Sequence, residues 1–197
     1  SEPAVFAYPD VFFSIAAIPL LYIFARLYFE KRHALMVTAL YAFSFLIIQY
    51  SRFAWNPNSL QFFILLSFYG LIRFLNDEHA TSKRWWLALW ALGSAIGSQL
   101  HFFGFFSLLG ISGLLMLFHL KVWKQSSWKA FLHKEQLRQF AIFSTIVIGV
   151  FAILYTPVIL SDSLRGGENT RNFFEALGSK AEKKPLVDKL QKTMTEN

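Results

Sequence analysis

Long apolar runs separated by short polar or basic breaks dominate the chain, and their lengths predict about six bilayer-crossing helices. The first run, Val11–Phe29, is entered through Tyr8-Pro9-Asp10. It contains Pro19, which a membrane helix tolerates because neighbouring groups re-satisfy the freed carbonyl. Arg26, near its end, is placed to snorkel towards the interface. A tight turn, Glu30-Lys31-Arg32-His33, leads to the second run, Ala34–Tyr50, and forces an antiparallel hairpin. After the polar break Ser51–Asn58 comes the third run, Ser59–Leu75, with Asn58 or Ser59 expected as its N-cap. The fourth run covers Trp85–Leu100 and the fifth Phe102–Leu120, with a turn expected at His101; one long bent helix is the alternative. Basic residues alternating with Trp123, Trp128, Phe131, Leu132 and Leu137 predict an interfacial helix over Lys121–Gln139. The sixth run is Phe140–Leu160. A polar tail, Ser161–Asn197, follows, with a short amphipathic helix expected at Thr170–Leu177 ended by Gly178, and a second one starting at Pro185.

The pattern predicts an all-α, polytopic transmembrane helix bundle over residues 1–160 and a short extracytoplasmic tail or loop over 161–197. Charge sets its orientation. Lys31, Arg32, Arg73, Lys83, Arg84, Lys121, Lys124, Lys129, Lys134 and Arg138 fall on one side of the expected membrane, while the opposite inter-helix loops carry only Arg52. The basic side is expected to be cytoplasmic, which turns the 51–58 loop, the His101 turn and the tail outward. Trp85, Trp86, Trp90, Trp123 and Trp128 lie near the same basic interface, where an indole's mixed polarity is at home. The expected location is the cell membrane, crossed many times.

Composition agrees with that picture. Hydrophobic residues make up 55% of the 197 and charged residues 16%, too little polar surface for a soluble domain of this length. The charges are also clustered, as a bilayer requires, because one at its centre costs ~2.5–3.5 kcal/mol on the gentlest scale. The net charge of +7 sits in short loops and so follows from membrane orientation, with no nucleic acid called for. The absence of cysteine removes disulfides and thiolate chemistry. The chain opens on Ser1 without a signal-peptide pattern and reads as a fragment whose N-terminal part is missing.

Candidate chemistry concentrates at the outer ends of the helices. The stretch Tyr50–Asn58 brings together a guanidinium (Arg52), two amides (Asn56, Asn58) and the rings of Tyr50 and Trp55. A guanidinium offers a planar fork of donors to phosphate or carboxylate, the amides suit sugar hydroxyls, and the rings can stack on a sugar face. The alternative is that Arg52 and Tyr50 anchor the interface while the Asn residues cap a helix. Gln99 and His101 form a second group on the same side, and polar groups there usually face a protein interior or a watery cavity. His101 could hold a phosphate or relay a proton, or simply bond a backbone carbonyl. Asp10, the one acid at the outer start of a span, reads as a helix N-cap in preference to a base. Gly93 and Gly97 have the small-xxx-small spacing of closely packed membrane helices. Most of the 23 phenylalanines face lipid or neighbouring helices. No metal-ligand cluster, Gly-rich phosphate loop or nucleophile–base pair stands out.

Tyr50-Ser51-Arg52, a polar break and the Phe-rich helix that starts Ser59-Leu60-Gln61-Phe62-Phe63 resemble PMT- and ArnT-like membrane glycosyltransferases. These are the protein mannosyltransferases and lipid A aminoarabinose transferases of the GT-C superfamily. The order of elements is similar too: a helix with a late Arg26, a basic turn, the Tyr-Ser-Arg segment, and a glycine-bearing helix ending at His101. Tyr155-Thr156-Pro157 leading into Arg165–Thr170 resembles the junction where bacterial members leave the membrane.

The resemblance implies transfer of a sugar from a polyprenyl-phosphate carrier to an extracytoplasmic protein, lipid or glycan acceptor. It implies a catalytic Asp in a first outer loop, upstream of Ser1, so that no catalytic residue lies in this chain and the fragment alone is inactive. Arg52 matches the family's arginine, and His101 falls near a family lysine that serves the lipid phosphate. Where many members carry an acid after the arginine, this chain has Asn56-Pro57-Asn58. Substrate contacts are therefore expected from Arg52, His101, Asn56, Asn58, Tyr50 and Gln99, with no cofactor named and a divalent metal left open. The runner-up function is a transporter or flippase for a lipid-linked or anionic solute. That reading expects an internal repeat and polar groups at mid-membrane, and neither is evident. A purely structural membrane subunit, needing no cavity at Arg52, is the third.

Overall fold

A computed structural model describes residues 3–52, 54–55, 57–120 and 134–178. A short 3-10 turn, Pro3–Ala7, leads into α1, Tyr8–Ala25. Then come α2, Lys31–Ala42; α3, Phe45–Tyr50; α4, Pro57–Asn76; α5, Ala80–Leu100; α6, Phe102–Leu120; α7, Lys134–Leu164; and α8, Glu168–Gly178. All regular structure among the described residues is helical, as the apolar periodicity predicts. Contacts divide the chain into two units, Ser1–Tyr155 and Thr156–Asn197.

In the first unit α4 packs against α1, α5 and α6, and α5 also packs against α6. A core cluster joins Leu71 of α4 to Leu87, Trp90 and Ala91 of α5, with Phe143, Val147 and Phe151 of α7 packed against it. Beside this cluster, many of the buried residues are small or hydroxyl-bearing, and many of the exposed ones are large and apolar. Ala17, Ser67, Ala91, Ser94, Ala95, Ser98 and Ser112 are buried, whereas Phe12, Ile15, Leu40, Phe43, Ile148 and Ile153 are exposed. Water would reject that distribution, and lipid favours it, because helices in a bilayer associate through close packing and hydrogen bonds instead of hydrophobic burial. The chain is therefore a membrane protein.

Close packing centres on α4 and α5. A Cβ built on Gly70 would lie 2.7 Å from the Trp90 backbone nitrogen, and one on Gly93 would lie 2.7 Å from the Ser67 nitrogen. The two backbones thus touch where glycine removes the side chain. Gly97, by contrast, receives the Leu108 side chain of α6. Hydroxyls line the same seam: Ser67 and Ser94 share a hydrogen bond of 2.7 Å, and Trp90 Nε1 donates to Ser112 Oγ at 2.9 Å.

Several element boundaries depart from the expected ones. Three described helices are long and apolar enough to cross a membrane: Val5–Ala25, Pro57–Asn76 and Leu137–Leu164. The second expected span is broken, since α2 ends at Ala42 and Ser44 is extended at φ −66°, ψ 121° before α3 begins. No Pro or Gly marks that break, so sequence carried no signal of it. α5 starts earlier than expected, at Ala80, and its Thr-Ser-Lys-Arg first turn dilutes its hydropathy. Asn58 and Ser59 are not the N-cap of α4, because the helix already begins at Pro57, a residue suited to a first turn. Asp10 is likewise inside α1, whose N-cap position is Ala7. Lys134–Gln139 belong to α7 instead of an interfacial helix; the rest of that expected helix, and the one at Pro185, lie outside the described residues. His101 is extended, at φ −155°, ψ 138°, so α5 and α6 are two helices and not one bent one.

Within the second unit, Asp162 caps the start of α8. Its Oδ1 accepts the Asn169 N–H at 2.8 Å, and its Oδ2 accepts the Thr170 N–H at 3.1 Å and the Thr170 hydroxyl. Gly166 and Gly167, at φ 71° and 75°, make the turn that lets the chain reach this cap. α8 therefore starts two residues before the expected Thr170.

At the α4–α5 turn, Asp77 accepts the His79 N–H and the Trp86 Nε1–H, both at 2.9 Å. The His79 backbone bond is the main cause holding this carboxyl below its ordinary value; partial desolvation opposes it, and Trp86 and the nearby His79 and Arg73 charges assist.

Two predictions follow from this packing. Gly70→Ala puts a methyl against the α5 backbone and should cost about 1–3 kcal/mol of stability. Gly110→Ala, with nothing within 4 Å of its added Cβ, should be neutral or gain up to about 1 kcal/mol. Thermal unfolding of the detergent-solubilised full-length protein separates them, and equal midpoints would refute the close-contact account. For Asp77, a carboxyl titrating lower when folded stabilises fully above the ordinary carboxylate range and loses that contribution as pH falls through its folded value. Asp77→Asn should therefore flatten the fall in stability below about pH 4; an unchanged acid limb would refute the claim.

Candidate functional site

Asp10 organises one end of the bundle. It is the third residue of α1 and only 7% exposed. A buried carboxylate needs donors, and it finds them on the far side of the next hairpin. Its Oδ2 accepts the backbone N–H of Trp55 at 3.1 Å, and its Oδ1 accepts the Ser59 hydroxyl at 2.5 Å. One turn deeper, Gln61 Nε2 of α4 lies 3.5 Å from Ser14 Oγ of α1. The α1–α4 contact thus carries two polar steps, and the hydrogen bonds of the upper one are the shorter.

The same contacts shape the connection between α3 and α4. Asn58, buried in the first turn of α4, donates from Nδ2 to the Tyr50 carbonyl at 2.5 Å. The Arg52 N–H bonds the Gln49 carbonyl at 3.3 Å, and the Ser51 hydroxyl bonds the Ile48 carbonyl at 2.9 Å. The Tyr50 and Trp55 rings lie 6.1 Å apart, tilted by 35°. They border a cleft of about 260 Å³ that Leu46, Ile47, Pro57, Asn58 and Gln61 complete. Arg52 is exposed at the crest of this connection.

His101 reaches the same end through α5. The Leu60 side chain touches the positions where Gly97 and Gly104 would carry a Cβ, so the α5–α6 turn sits beside the first turn of α4. The Gly104 N–H bonds the His101 carbonyl at 2.8 Å, which fixes the start of α6. Just before the turn, Ser98 Oγ lies 2.7 Å from the Tyr155 hydroxyl of α7. Gln99 Nε2 donates to the Ala95 carbonyl at 3.0 Å and to the Leu154 carbonyl at 3.3 Å.

Of the expected site residues, the structure brings Tyr50 and Asn58 into direct contact and carries Arg52 on the same connection. His101 stands on a neighbouring turn at that end. Gln99 turns its amide to backbone carbonyls of α5 and α7, and so ties helices together. Asn56 lies outside the described residues. Asp10 and Ser59 are what sequence reasoning missed. The available signal was an acid in an apolar context at the same end as the arginine loop, and its partners lie 45 and 49 residues away.

A larger cleft, of about 490 Å³, lies at the opposite end between Leu27–Tyr28 and Arg73–His79. It mixes Arg73 with Asp77 and Glu78, and Asp77 is engaged by the turn; Arg73 lies over the Trp86 ring at 4.8 Å. Asp77 and Arg73 are thus engaged by the turn itself, whereas the Arg52 end presents an exposed cation beside an apolar, ring-lined cleft. Among the described residues no group of three or more His, Asp or Glu converges as a metal site.

Removing the Asn58 amide should release the Tyr50–Trp55 connection while leaving the helices in place. Asn58→Ala is expected to cost about 1–3 kcal/mol and to speed amide hydrogen exchange over residues 50–55. Unchanged exchange there would refute the role given to Asn58.

A profile of the dolichyl-phosphate-mannose-protein mannosyltransferase family matches residues 7–160, a stretch that includes Asp10, the Arg52 connection and the His101 turn. No curated protein and no solved structure matches the chain at a significant level.

Proposed function

The chain belongs to the dolichyl-phosphate-mannose-protein mannosyltransferase family, a family of membrane glycosyltransferases, and from that premise we propose that its Arg52 end handles a polyprenyl-phosphate-linked sugar. In the proposed reaction the bond between the sugar's anomeric carbon and the carrier phosphate breaks. A bond from the acceptor's hydroxyl oxygen to that carbon forms, the acceptor's proton passes to a general base, and the polyprenyl phosphate leaves with the electron pair. The charge that grows on the departing phosphate is what a protein can most profitably stabilise.

Arg52 suits that task because a guanidinium is cationic and offers paired donors to phosphate oxygens. The observation that carries the reading is the anchored connection. Asn58 holds the Tyr50 carbonyl and Asp10 holds the Trp55 N–H, so the exposed Arg52 projects from a backbone fixed on both sides. His101, on the adjacent turn, is a second group for the phosphate. Tyr50 and Trp55 give the sugar or the first carrier carbons an apolar face along the cleft. Asn58 already spends its amide on Tyr50, so its proposed part is to shape the site. The excess of Lys and Arg on the opposite loops supports an outward orientation of this end, with an extracytoplasmic acceptor.

Arg52→Ala in the full-length protein should lower transfer from polyprenyl-phosphate mannose about 10²–10³-fold, the scale of losing one stabiliser of transition-state charge. Membrane insertion and thermal midpoint should be retained. Transfer at the wild-type rate would overturn the site assignment.

A further inference from the structure

We propose that Asp10 is a positioning residue for Arg52, acting across the α1–α4 interface to hold the arginine-bearing connection in register; this rests on the role given to Arg52 above. Three observations carry it. Asp10 is buried, yet it neither caps its own helix nor faces solvent, and both carboxylate oxygens are spent on the segment that follows Arg52. The Trp55 N–H it accepts precedes α4, in an irregular segment where no helical carbonyl is on offer to that donor. On the other flank, Asn58 fixes the Tyr50 carbonyl, and Asn58 is next in sequence to Ser59, the second Asp10 partner. One carboxylate therefore sets the exit of the connection directly and its entry through the first turn of α4.

The consequence is geometric. Without Asp10, the Trp55 N–H and the Ser59 hydroxyl lose their shared acceptor, the exit of the connection loosens, and the guanidinium can drift by about an ångström. A displacement of that size can cost about 10²-fold in rate without loss of any contact to substrate. The Trp55 N–H can only donate, so the group at this position must offer it an accepting oxygen. An amide can still accept from that N–H and donate to the Ser59 hydroxyl in reverse, whereas alanine removes both bonds.

The test is a double-mutant cycle in the full-length protein, with sugar transfer measured as kcat and KM for the polyprenyl-phosphate donor. Asp10→Ala should lower kcat about 10–100-fold with donor KM within about threefold of wild type. Ser59→Ala, which removes one donor and leaves the carboxylate, should lower kcat about 3–10-fold. Both losses should vanish in an Arg52→Ala background, because a positioning residue has nothing left to position. Wild-type kcat in both variants, or losses that multiply with that of Arg52→Ala, would overturn the proposal and leave Asp10 a purely structural anchor. If Asp10→Ala fails to accumulate in the membrane, the Ser59→Ala arm decides. Failure of the underlying reading shows separately, as wild-type transfer by Arg52→Ala itself.

Discussion

The backbone contact between α4 and α5 is the constraint on which the described bundle turns. Gly70 and Gly93 each bring a helix backbone against its neighbour, leaving no room for a Cβ. In lipid such an approach is the main source of helix association, because apolar side chains gain nothing by leaving one hydrocarbon for another. Close approach then lets short hydroxyl side chains meet, as Ser67 and Ser94 do, and lets the Trp90 indole find Ser112 on α6. The core cluster of Leu71, Leu87, Trp90 and Ala91 fills the rest of the seam and receives α7. With α4 and α5 locked, the other helices have a frame to dock on.

That frame determines where the candidate chemistry can stand. α4 begins at the end where α1 begins and where α5 finishes, so three chain segments that are distant in sequence converge there. α1 contributes Asp10, the α3–α4 connection contributes Arg52 and Trp55, and the α5–α6 turn contributes His101. Leu60 links the last two, reaching the glycines on either side of the His101 turn. The polar groups that tie this end together are buried and mutually satisfied, whereas Arg52 is exposed. The proposed role for Arg52 rests on that contrast between an anchored loop and its exposed cation. The family match, which covers the same segments, agrees with a membrane glycosyltransferase.

Much of the fold was legible because bilayer-spanning helices are written locally. Runs such as Ser59–Leu75 and Phe140–Leu160 contain the apolar length a membrane helix needs, whatever it packs against, and His101 was readable as a break between two apolar runs. The Tyr-Ser-Arg segment was readable as a loop, and its resemblance to mannosyltransferases agreed with the family match. The helix starts were less legible. Asn58, Ser59 and Asp10 all have the chemistry of N-caps, but each lies inside its helix, since α4 already begins at Pro57 and α1 at Tyr8, and their side chains bond groups further along the chain. The break at Ser44 had no local signal at all.

The sequence by itself determined the class of the molecule: an all-α membrane bundle with its arginine at a helix-connecting loop. It could do so because hydrophobic length and charge clustering act through the solvent, residue by residue, with no partner required. Only the tertiary structure decided that Asp10 belongs to that loop, that Gly70 is a contact point as well as Gly93, and that Gln99 ties α5 to α7. Each of these depends on a pairing between helices, and a carboxylate 45 residues from its donor has no local pattern to announce it.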